Sequence, residues 1–101
     1  MRTQVFRLRN ASGLHARPAT VFVRTAAGLS SDVRVQNLDR PGTRANGKSI
    51  LEVLTLGASE GQRIEVTVDG QDEADDLEQL AAAIDSGLGE GAPQDGKSAA
   101  R

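Results

Sequence analysis

Arg63-Ile64-Glu65-Val66-Thr67-Val68-Asp69, with the acid-rich run Asp72 to Asp76 close behind, is the stretch on which the architecture turns. Ile64, Val66 and Val68 alternate with Arg63, Glu65, Thr67 and Asp69, the period of a strand with one buried face. Past Gly70 the period changes. Leu77, Leu80, Ala81, Ile84 and Leu88 recur at helical spacing, and Asp72 stands where a cap belongs. Acids gather at the start of that helix, as the helix dipole favours.

Working outward, the two periods recur. Gln4 to Arg9 alternates, with Phe6 and Leu8 on one face and Val5, Arg7 and Arg9 on the other. Pro18 to Ala27 has helical spacing through Ala19, Phe22, Val23 and Ala26, with Gly28 as its stop. Asp32 to Asn37 alternates again through Val33 and Val35. Leu38 to Thr43 reads as a loop turned by Pro41-Gly42, joining two antiparallel strands, the second short and ending near Asn46. Ser49-Ile50-Leu51-Glu52 matches a capping box at the start of a short helix that ends before Gly57.

Helices between strands, with one hairpin, predict an α+β fold: an open-faced β-sandwich in the order βαββαβα. Its four-stranded antiparallel sheet carries the helices packed on one face. The 101 residues suit one small domain. That domain is expected over residues 1–88. From Gly89 onward apolar periodicity is absent, and residues 89–101 are expected to form a flexible C-terminal tail.

Composition excludes several classes. A net charge of −2 and a pI near 5.3 argue against a nucleic-acid partner, which calls for a basic face. Without Trp or Tyr there is no stacking platform for single strands either. The absence of cysteine removes disulfides, thiolate catalysis and Cys-type zinc sites. The N-terminal run lacks the apolar stretch of a signal peptide, and no segment approaches membrane-spanning length, so a cytoplasmic chain with no membrane insertion is expected.

The single histidine, His15, lies in Ser12-Gly13-Leu14-His15-Ala16-Arg17-Pro18-Ala19-Thr20. Gly13 permits a sharp bend, and Pro18 fits a first helical turn, where a missing N–H costs nothing. The imidazole therefore belongs beside the unpaired amides of a helix N-terminus, a ready anion site. Arg17 adds a planar, permanently charged phosphate binder. A ring nitrogen there can act as nucleophile, while the amides and Arg17 favour an anionic product. A histidine that carries a phosphoryl group follows from that chemistry. A metal centre does not, because no second histidine or cysteine can join it. Ser12 lies close by, but no Gly-x-Ser-x-Gly elbow exists to make a hydrolase.

Gly13-Leu14-His15-Ala16-Arg17-Pro18-Ala19 resembles the active-site signature of HPr, the phosphocarrier of the bacterial phosphoenolpyruvate-dependent sugar phosphotransferase system. A second block, Lys48-Ser49-Ile50-Leu51-Glu52-Val53-Leu54-Thr55-Leu56-Gly57, resembles the family at its own expected place. The resemblance covers residues 3 to 88 and implies the same open-faced sandwich. It further implies that His15 takes a phosphoryl group on Nδ1 from phosphorylated enzyme I and passes it to an enzyme IIA acceptor in sugar uptake. Arg17 and the Ala16 amide would stabilise the group, and Ser12 would support the ring. Such a protein is a carrier, with no turnover of its own and no cofactor, and is expected to be a monomer.

Ser49 has two readings. As a cap before Glu52 it is structural. By resemblance to Gram-positive members it is a regulatory serine, modified by an HPr kinase/phosphorylase to slow transfer and dock a transcriptional regulator. Against the second stands Glu52, whose carboxylate would repel a phosphate one turn away. The docking face is expected to include Leu14, Thr20, Ile50, Leu51 and Leu54, ringed by Arg24 and Lys48.

Two departures from the usual carrier bear on the acceptor. The loop Leu38 to Arg44 is longer than in typical free-standing members, and Ile84 to Glu90 resembles domains embedded in multiphosphoryl transfer proteins, including those feeding dihydroxyacetone kinase. A paralogue serving a regulatory or dihydroxyacetone branch is therefore the alternative within the family. From another class, a regulatory binding module without phosphotransfer would leave His-Ala-Arg-Pro unexplained.

Overall fold

The computed structural model describes residues 1–40 and 42–90. Its elements run β1 (Arg2–Arg7), α1 (Ala16–Ala27), β2 (Asp32–Asn37), β3 (Arg44–Asn46), α2 (Ile50–Thr55), β4 (Arg63–Asp69) and α3 (Glu73–Asp85). The strands form one antiparallel sheet in the order β1-β4-β2-β3. The fold is the α+β open-faced sandwich read from periodicity.

The alternation of β2 and β4 puts a continuous apolar layer on one face. Val33 lies opposite Val68, and Val35 opposite Val66, across the central strand pair. All four are fully buried, as are Ile64 and Ala45. Phe22, Ala19 and Ala26 from α1, Val53 from α2 with Leu56 just past its end, and Leu80 and Ile84 from α3 close over this layer. Burying each large aliphatic side chain is worth about 1.5–3 kcal/mol, so the sheet's inner face and the helical cover stabilise each other.

Several local expectations shift. The first strand begins at Arg2 and ends at Arg7, yet Leu8 remains buried because its N–H and C=O are held by Gln62 and Gly61. Thr67, expected on the wet face, is buried. Its hydroxyl shares a hydrogen bond with that of Thr3, the residue opposite it in β1, at 3.1 Å. Asp72 precedes α3 without capping it. It accepts instead from the Ser30 hydroxyl at 3.1 Å, while the buried Asp76 accepts the Ser31 N–H at 3.1 Å. The acids of α3 thus fasten the loop before β2 as well as complementing the dipole.

The capping box of α2 forms by half. Ser49 Oγ accepts the Glu52 N–H at 3.3 Å. The Glu52 carboxylate turns away and accepts from the Asn46 N–H at 2.9 Å, tying α2 to β3.

At the end of α3, Gly87 (φ +92°) reverses the chain. The Leu88 N–H donates to Ala83 and the Gly87 N–H to Ile84, the paired bonds of a left-handed helix terminus. Leu88 is buried by this turn and not by continuation of the helix. Order also passes the boundary expected at Leu88: Gly89 packs on α1, and Glu90 is hydrogen-bonded to the turn before it. Pro41 and the rest of the expected tail, 91–101, lie outside the described residues.

Candidate functional site

The turn before α1 is assembled from backbone bonds and one buried amide. The Gly13 N–H donates to the Asn10 carbonyl at 3.1 Å, the His15 N–H to the Ser12 carbonyl at 3.1 Å, and the Leu14 N–H to the Ala58 carbonyl at 2.9 Å. Asn10, buried, returns its side-chain amide to the Gly13 carbonyl at 2.8 Å. Gly13 adopts φ +57°, and a Cβ there would stand 2.7 Å from Ser59 Cα. No other residue fits.

His15 is the N-cap residue of α1, with extended backbone (φ −125°, ψ 160°). Its side chain makes no capping hydrogen bond and is half-buried. The ring is thus held at the positive end of a twelve-residue helix without being consumed by it. Ala16 follows at φ +52°, a left-handed conformation that costs a non-glycine residue about 1–2 kcal/mol. Ala16 and Arg17, next in the chain, are exposed, while Pro18 is buried in the first turn. Nothing in an alanine marks it for positive φ, so sequence reading had no signal for this strain.

The expected site residues divide into those that gather and those that do not. Ser12, His15, Ala16 and Arg17 lie on one continuous turn. Thr20 and Arg24 are exposed and follow Arg17 at helical spacing along α1. On α2, which packs against α1, Leu51 is 75% exposed, with Ile50 and Leu54 at 37% and 38%. These three form an apolar face open to solvent.

Leu14 is not part of it. The side chain is fully buried in the core, because the bond to Ala58 turns it inward. Lys48 is half-buried, and its ammonium donates to the Leu29 carbonyl at 2.9 Å. It braces the end of α1 more than it rings a docking face. Ser49 is half-buried at the edge of the exposed α2 surface, its hydroxyl engaged as a cap.

One contributor was missed. Glu90 accepts from the Ser12 N–H at 2.9 Å, the Ser12 hydroxyl at 2.7 Å and the Asn10 side-chain amide at 3.0 Å. These donors, the Ser12 N–H first, hold its carboxyl below the usual range, and Arg17 adds to the effect. Gly89 (φ +88°) lets the chain pass close over α1: a Cβ there would meet Val21 at 3.1 Å and the Arg17 stem at 3.4 Å.

No group of His, Cys, Asp and Glu side chains among the described residues could hold a metal ion, and none of their helices is long and apolar enough to cross a membrane.

Fold and site together define a small sandwich domain with one half-buried histidine at a helix entrance. Solved structures of that class share the whole architecture. HPr-C-His from Thermoanaerobacter tengcongensis superposes with a TM-score of 0.83 at 35% identity, covering 91% of this chain and 100% of that one. The phosphocarrier protein HPr of Bacillus anthracis str. Ames gives 0.75 at 31% identity, covering 82% and 95%. The family described as the PTS HPr component phosphorylation site matches residues 2–86. The chain belongs to the HPr phosphocarrier family of the phosphotransferase system. Among curated relatives, the multiphosphoryl transfer protein of Escherichia coli O157:H7 is 46% identical over 87 residues, 86% of this chain. The chain spans 23% of that relative's length.

Proposed function

We propose that this chain is a histidine phosphocarrier: His15 accepts a phosphoryl group from phosphorylated enzyme I and delivers it to an enzyme IIA-type acceptor. The observation that carries the reading is the imidazole at the N-terminus of α1, unengaged by capping and flanked by Arg17. A phosphoryl group on the ring adds about −1.5 to −2 charges, by analogy with other phosphorylated side chains. The Ala16 amide, the helix dipole and the Arg17 guanidinium are the groups suited to meet that charge, with Ser12 in support. The chain is then a covalent carrier and not an enzyme with turnover of its own.

The exposed Ile50, Leu51 and Leu54 face of α2, together with Thr20 and Arg24, is the surface we assign to both partners. A carrier must show the same face to donor and acceptor in turn. Ser49 stands at the rim of that face. We assign it first as the cap of α2; a phosphate on it would set like charge near Glu52 and obstruct docking. The likeness to multiphosphoryl transfer proteins supports a second reading of the acceptor, as a neighbouring module of a longer relay.

The test is phosphorylation by enzyme I and phosphoenolpyruvate, read by intact mass with His15→Ala as control. One acid-labile phosphoryl group on the wild type, absent from His15→Ala, is expected. No label, when the same enzyme I labels its own carrier, would overturn the reading.

A further inference from the structure

Glu90 has no part in the carrier chemistry described above, yet its carboxylate collects three hydrogen bonds on the turn that leads into His15. Ser12 gives both its N–H and its hydroxyl, and Asn10 gives its side-chain amide. That turn is coupled to the histidine, because the His15 N–H is held by the Ser12 carbonyl. The approach is built into the fold. Gly87 reverses the chain, Leu88 anchors it in the core, and Gly89 crosses the Arg17 stem where a side chain has little room. A fixed negative charge therefore stands on the turn that leads into the residue that is to receive another, and Arg17, two positions past that residue, acts on it.

We propose that Glu90 is an internal anion of the phosphoryl site: it holds the Asn10–Ser12 turn in the unphosphorylated protein, opposes the phosphoryl group on His15, and so favours that group's departure to the acceptor. The inference rests on the carrier reading above. Glu90 touches no reacting atom and is a positioning residue. In the transfer itself the donor's bond to phosphorus breaks, and a bond from phosphorus to a His15 ring nitrogen forms. The phosphoryl group moves with its charge, no electrons are gained or lost, and the ring keeps its proton on the other nitrogen. Two anions facing one turn and one guanidinium repel each other, and the charged product is the state that suffers. The same repulsion loosens the Glu90 clip when the phosphoryl group arrives.

The experiment equilibrates the full chain with enzyme I at a fixed phosphoenolpyruvate-to-pyruvate ratio and reads the phosphorylated fraction by intact mass. Wild type, Glu90→Gln and Glu90→Ala are compared. Glu90→Gln decides the matter, since it keeps a carbonyl acceptor for Ser12 and loses the charge. The ratio of phosphorylated to free Glu90→Gln is expected to exceed that of wild type by roughly threefold to tenfold, the size of one like-charge contact near a surface. The difference should narrow as salt is raised. A clip that is only structural would change the thermal transition and leave the ratio where it was. Wild type labelled, with Glu90→Gln at the same ratio, overturns this inference alone. Wild type unlabelled beside a carrier that takes label overturns the carrier reading, and this inference with it.

Discussion

Leu14 gives its backbone N–H to the Ala58 carbonyl at 2.9 Å, and through that bond the turn before α1 is fastened to the loop before β4. The bond requires the two backbones to meet at Gly13, where a Cβ would stand 2.7 Å from Ser59 Cα. Gly13→Ala is expected to cost more than about 2 kcal/mol, combining the left-handed backbone penalty with displacement of the 58–59 loop. Chemical denaturation measures the loss. His15 moves with the turn, so the phosphorylation rate should fall as well.

Leu14 and Leu51 are both leucines of the neighbourhood, one fully buried and one 75% exposed. Leu51→Glu should weaken binding to enzyme I by about tenfold or more, as loss of a central apolar contact does, with an unchanged thermal transition. Leu14→Ala should do the reverse, costing about 2–5 kcal/mol of stability. Calorimetric titration and thermal melts on the two variants separate docking from packing.

The hydroxyl of Ser49 caps α2 through the Glu52 N–H. Ser49→Ala should destabilise the protein by about 0.5–2 kcal/mol, and Ser49→Asp should recover most of it, since aspartate caps equally well. If Ser49→Asp folds normally but takes label from enzyme I more slowly, the charge acts at the docking face and not on the fold.

Acid stability follows from three carboxylates held low, of which Glu73 is held first by the Met1 ammonium. Asp39 lies below its ordinary value near 3.8, first through the Arg63 N–H and then through the Arg63 guanidinium. Glu90 lies below its ordinary value near 4.5, first through the Ser12 N–H. A group whose folded value is lowered stabilises the fold above its unfolded value, and that contribution disappears as pH falls through the folded value. Stability should therefore decline from about pH 4.5 downward, and Glu90→Gln should flatten the upper part of that decline. Urea titrations across the acid range check it.

Burial patterns were legible where a period existed to report them. Val33 and Val35, Ile64, Val66 and Val68 alternate along strands with one wet face, so the inner layer of the sheet could be read directly. Leu14 could not. A residue in a turn has no neighbours of known phase, and only the bond to Ala58 sends its side chain inward. Asp72 illustrates a different limit, because the residue type of a cap says nothing of which donor it finally meets; here Ser30 captured it. Glu90 was hidden by distance. Its partner Ser12 is 78 positions away, and the glycines that bring the chain back were read only as loss of periodicity.

The strand order β1-β4-β2-β3 has a consequence for how the chain acquires its structure. β1 pairs with β4, Arg2 facing Val68 and Phe6 facing Ile64, so the strand partner of β1 lies five elements further along the chain. While the chain emerges from a ribosome, β2 and β3 can form their hairpin at once, but β1 waits with an open edge. Closing so long a loop costs entropy before any contact offsets it, so β1–β4 docking is expected to come late in folding, which refolding rates of β1 variants would check. The histidine turn, hung between β1 and the loop before β4, is expected to order with that docking, so the geometry of the site depends on the most distant strand pairing in the sheet.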